Sequence, residues 1–163
     1  MTIVARVGDV FAVPTGDGRA GIGQVVAAYD EYTYFFALFG NVVSASPTSD
    51  EVRETLRTAP FILALSQDAK LHAGHWHVVG NGDVDPGIIL PDYRVAVDRG
   101  DGIHFEVVNA AGTRSRRVSD EEAEQFPYRK IVAPVRLERA FRASLGLEPW
   151  LPHYNELLYP FRG

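Results

Sequence analysis

The chain contains no cysteine. Disulfides, thiolate metal sites and a cysteine nucleophile are thereby excluded, and a cytoplasmic location is the simplest expectation. Long hydrophobic runs are missing too. The longest, Tyr34 to Phe39, falls far short of the roughly 20 residues that cross a bilayer, and Met1-Thr2-Ile3-Val4-Ala5-Arg6 carries no export pattern. Basic residues are few: 16 Lys and Arg stand against 21 Asp and Glu, a formal charge of -5. That balance speaks against nucleic acid and for a basic protein partner. The chain also lacks a Gly-x-Ser-x-Gly elbow, a phosphate-binding loop with its lysine, and a His-Glu-x-x-His pair. No catalytic residue and no cofactor are expected from motifs.

What is present is a soluble-type composition, 46% hydrophobic and 23% charged over 163 residues, with no repeat, linker or low-complexity tract. A single domain over residues 1–163 is expected, β-rich over 1–110 with a helical tail over 119–160. β-Branched and aromatic runs broken by turn residues predict strands at 9–14, 21–29, 34–39, 61–66, 75–79, 93–97 and 103–108. Thr48-Ser49-Asp50-Glu51 has capping-box spacing and predicts a short helix after the third strand, and Ser119-Asp120-Glu121-Glu122 predicts a brief one that stops before Pro127. Pro134 suits a first helical turn, and Leu137, Ala140, Phe141 and Leu145 share a face ahead of Gly146. Residues 151–159 predict a final helical turn or two, with Leu157 and Leu158 turned inward. The fold class is mainly β or α+β: a small curled antiparallel sheet, or an SH3-like partial barrel, with C-terminal helices packed on it.

Three groups of residues invite a chemical reading. His72, His75 and His77 lie close enough in sequence to suggest a three-imidazole metal site, and hence a metal-dependent hydrolase. In a strand, however, His75 and His77 project from one face and Trp76 from the other, which describes two solvated histidines beside a buried tryptophan. Asn81, Asp83, Asp85 and Asp92 mimic the oxygens of a calcium loop. Pro86 occupies the position that needs glycine and Asp92 is shorter than the usual bidentate Glu, so an acidic surface turn is expected and no metal. With Asp98 and Asp101, Asp83, Asp85 and Asp92 place five carboxylates in one stretch, a surface suited to steering a basic partner. Tyr93, Trp150, Tyr154 and Tyr159 are candidate aromatic anchors if exposed. His104 and Glu106 fall on one side of a strand and form an acid/base pair or an ordinary polar face. Arg114, Arg116 and Arg117 lie beside acidic residues and suggest a solvated charge cluster.

Gly8-Asp9-Val10-Phe11-Ala12-Val13-Pro14 is followed by a Thr15-Gly16-Asp17-Gly18 turn and a glycine-bearing second strand, Gly21-Ile22-Gly23 to Gln24-Val25-Val26. These glycines read as turn residues and as a strand that bends or admits a neighbouring backbone. With the aromatic run Tyr34-Phe35-Phe36-Ala37-Leu38-Phe39 and Gly74-His75-Trp76-His77-Val78-Val79-Gly80, in that order, the chain resembles the immunity protein 26 family of bacterial polymorphic-toxin systems. The resemblance covers the first half well and the tail loosely. It implies a non-enzymatic protein that binds a cognate toxin and neutralises it in the cell that makes both. The opening hairpin also resembles that of SH3-like-barrel toxins that cleave RNA, in which case Arg19 beside the first loop is the residue to test.

Overall fold

The computed structural model describes residues 4–161. The chain is mainly β with a few helices, an α+β arrangement, and its contacts divide it into two compact units where the sequence suggests one domain. Among the described residues no helix is long and apolar enough to cross a membrane.

The larger unit comprises residues up to 88 together with 131–160. Its six strands are β1 (Asp9–Pro14), β2 (Arg19–Ala28), β3 (Thr33–Ser44), β4 (Pro60–Gln67), β5 (His77–Asn81) and, beyond the smaller unit in sequence, β9 (Ile131–Val132). They form an unclosed sheet in the order β5-β1-β2-β3-β4-β9. All neighbours are antiparallel except β4 and β9, whose two-residue parallel pairing makes the sheet mixed.

The helices of this unit are α1 (Ser49–Leu56), α2 (Ala69–His72) and α4 (Pro134–Ser144), followed by a 3-10 segment, Pro152–Leu157. Thr48 caps α1 through a reciprocal bond with Glu51, as its spacing predicts. On one sheet face Phe11, Val13, Val25, Phe36, Leu38 and Ile62 pack with Leu137, Ala140 and Phe141 of α4 and with Tyr154 and Leu157. The alternate residues Val10, Ile22, Phe35, Phe39 and Leu65 are buried as well. Burial on both faces is why β3 reads as an uninterrupted apolar run rather than an alternating one.

The smaller unit, Ile89–Lys130, is a three-stranded antiparallel meander of β6 (Tyr93–Asp98), β7 (Ile103–Val108) and β8 (Ser115–Val118), with the one-turn helix α3 (Asp120–Ala123). Ser119 caps α3 by accepting from the Glu122 N–H at 3.1 Å. Val107, Val118 and Ala123 form its small core, with Phe105 and Phe126 against them.

Four expectations need correction. The segment 115–118 is a strand, although its three polar residues hide the pattern; only Val118 is buried. The tail contributes β9 to the large sheet, through a two-residue parallel pairing too short to show a period. The last element is a 3-10 segment in which Leu157 is buried but Leu158 only half-buried. His75 precedes β5 rather than joining it, because its N–H and that of Trp76 both bond the carbonyl of Lys70 in α2.

Candidate functional site

The three histidines are not brought together as a metal-holding group. His72 ends α2, His75 lies in the turn and His77 opens β5, all exposed. Among the described residues no group of three or more His, Asp or Glu is placed to hold a metal ion, which removes the geometric premise of a hydrolase built on His72, His75 and His77. Trp76 is buried and stacks on Phe11 with ring centroids 5.1 Å apart.

The acidic stretch is not one surface element. Asp83 and Asp85 are exposed in the larger unit, where Asp85 accepts from the Gly87 N–H at 2.8 Å and so closes its own turn. Asp92, Asp98 and Asp101 are exposed in the smaller unit. Tyr93 fails as an anchor: only 5% exposed, it pairs with Val108 across β6 and β7. Tyr154 is buried too, while Trp150 is 37% exposed and donates its indole N–H to Asn155 at 2.9 Å. Arg19 is held by Asp17, its Nε 2.9 Å from the carboxylate. The guanidinium, with the Thr15 hydroxyl, holds that carboxyl well below its usual range. Arg19 is thus a turn clamp rather than a free cation beside the first loop.

The residues with the most constrained chemistry lie in the smaller unit. β7 points His104 and Glu106 to one side, as the period of two requires. His104 Nε2 lies 2.9 Å from Glu106 Oε2, and Arg99, from the β6–β7 turn, donates to both Glu106 oxygens at 3.0 and 3.1 Å. Both side chains are nine-tenths buried or more. The bond from His104, then that from Arg99, lowers the Glu106 pKa against the opposing effect of burial. The carboxylate is therefore ionised, and His104 carries its hydrogen on Nε2. Asp101 Oδ2 holds Arg117 at 3.3 Å, and its Oδ1 lies 3.8 Å from His104 Nδ1. His104, Arg117 and Ser119 line one cleft of about 580 Å³. The Ser119 hydroxyl oxygen is already engaged in capping α3.

A second cluster is only half legible in the sequence, because Lys70 lies far along the chain from Glu138 and Arg142. Glu138, 5% exposed on α4, accepts from Lys70 Nζ at 3.1 Å and has Arg142 Nη2 at 3.8 Å. Only helical spacing within α4 linked any two of them. Comparison of the chain with protein-family models, with curated proteins and with solved structures finds no significant match.

Proposed function

We propose that the chain is a toxin-neutralising binding protein of the immunity protein 26 type, acting in the cytoplasm without a reaction of its own. One observation supports the reading above others. Three of the four segments that carry the resemblance meet in a single aromatic nucleus: Phe11 from β1 stacks on Trp76, and Phe36 from β3 meets both rings edge-on, at 5.6 and 6.1 Å. Residues that are scattered in sequence but jointly build one core are what a shared scaffold would retain, whereas a shared active site would retain polar groups.

On this reading the partner is a basic toxin domain. The exposed carboxylates Asp83 and Asp85 accelerate encounter, and Trp150, flanked by the exposed Leu147 and Leu151, provides an apolar anchor. The test is co-expression with a toxin domain encoded by the neighbouring reading frame. Rescue of growth, together with association slowed about three- to tenfold at low salt in Asp83→Lys/Asp85→Lys, is the expected result. No rescue, or cleavage of single-stranded RNA by the pure protein that disappears on substituting Arg19, overturns the proposal.

A further inference from the structure

We propose that His104 is a proton-operated latch on the β6–β7 turn. The Nε2 hydrogen is committed to Glu106, whose carboxylate also receives Arg99. A proton gained by the imidazole is therefore taken at Nδ1. That nitrogen is buried and has no hydrogen-bond partner among the described residues, and its neighbour is the Asp101 carboxylate at 3.8 Å, beyond bonding distance. A neutral imidazole thus presents an unpaired lone pair toward a carboxylate oxygen, the unfavourable arrangement of two acceptors. One proton taken up from solvent converts it into an Nδ1–H donor facing Oδ1, and the bond forms once the carboxylate advances by about 1 Å.

The turn is built to permit that movement. Asp101 lies between Gly100 and Gly102, whose φ values of 94° and 98° place it on a tight excursion outside the strands, and its side chain is 57% exposed. Its other oxygen keeps Arg117 on β8, so the latched state ties the turn to both β7 and β8. The remaining charges around the imidazole do not compete for Nδ1. Arg99 is held by Glu106, Asp98 accepts from the Gly100 N–H, and Glu122, on the cleft wall with Asp120, is paired with Arg116. Because Asp101 is also among the carboxylates offered to a basic partner, latching withdraws part of that charge. The latch itself needs no partner and stands apart from the toxin reading.

The experiment follows the full chain by NMR as pH is lowered, stopping above the range in which carboxylates take up protons. Imidazole nitrogen shifts are expected to give the Nε2–H tautomer for neutral His104. Amide protection factors at residues 100–103 are expected to rise about fivefold as His104 charges, the population change that one partly exposed ion pair produces. Asp101→Asn, a substitution at an exposed position, is expected to abolish the rise. A neutral Nδ1–H tautomer, flat protection factors in the native chain, or an equal rise in Asp101→Asn would each overturn the latch.

Discussion

Alanine at Gly21 or Gly23 is expected to destabilise the larger unit far more than alanine at Gly40. A Cβ on Gly21 would stand 2.4 Å from Cζ of Phe141, and one on Gly23 would stand 2.4 Å from Cζ of Phe11 and 2.8 Å from Cδ2 of Leu38. These rings are fully buried, so neither can retreat into solvent. Overpacking of this kind costs about 1–3 kcal/mol, and removing glycine from a strand returns about 0.5–1 kcal/mol. With contacts a full ångström inside ordinary van der Waals distance, the upper part of the range applies, and we expect a net loss of about 2 kcal/mol at each site. Gly40 is exposed in β3, and its nearest neighbour to an added Cβ is 3.8 Å away, so alanine there is neutral to about 0.5 kcal/mol stabilising. Urea unfolding followed by tryptophan fluorescence is the assay, because both tryptophans, Trp76 and Trp150, lie in this unit and report on it alone. Combining Gly21→Ala with Phe141→Leu should cost at least about 0.5 kcal/mol less than the sum of the single losses, since the shorter side chain vacates the contested space. Equal midpoints for Gly21→Ala and Gly40→Ala would refute the placement of the Phe141 ring over β2.

Lys70→Met is expected to cost about 1–3 kcal/mol in the same assay, because among the described residues it leaves the buried Glu138 carboxylate with Arg142 alone, at 3.8 Å; Lys70→Met/Glu138→Leu should recover most of that loss. Thr48→Ala should cost about 1 kcal/mol through loss of the α1 cap, read from its urea midpoint. The partner of that cap gives a pH dependence. Backbone N–H groups of Thr48 and Ser44 lower the Glu51 pKa below its ordinary 4.5, so its contribution is complete above that value and lost as pH falls through the lower folded-state value. Glu51→Gln should accordingly flatten stability against pH in the acid limb below about 4.5 and leave the slope near neutrality unchanged.

The opening hairpin and the aromatic run were legible because each is decided locally. Asp9–Pro14 has the bounds its turn residues suggest, and Thr48 and Ser119 cap where their spacing places them. The sense of Gly21 and Gly23 was not legible to the same degree. A glycine in a strand signals close approach, but only the tertiary packing reveals that what approaches is the Phe141 and Phe11 rings rather than a backbone. β8 and β9 were hidden for opposite reasons: Ser115, Arg116 and Arg117 are exposed and read as a charge cluster, while Ile131 and Val132 are too few to show any period. The first boundary between the two units falls within residues 80–92, whose glycines, prolines and aspartates read as a surface turn rather than as the exit from one unit into another.

The candidate site divides along the same line. A period of two was enough to put His104 beside Glu106, but Arg99 and Asp101 join them through a turn whose shape depends on two glycines at positive φ, which no spacing rule supplies. Tyr93 suits an anchor by residue type alone, but opposite Val108 across β6 and β7 it is buried. The carboxylates carry the more general lesson. Asp85 and Asp98 each accept a backbone N–H of their own turn, and Asp101 holds Arg117, so three of the five have structural duties before any partner arrives. A turn carboxylate that accepts a backbone N–H still keeps its charge and its long-range field. Such groups can hasten encounter while contributing few direct contacts, so on the toxin reading their loss should alter the salt dependence of association and leave dissociation nearly unchanged. Tight holding then has to come from an apolar anchor, and Trp150 with Leu147 and Leu151 is the exposed group that meets that requirement in the larger unit.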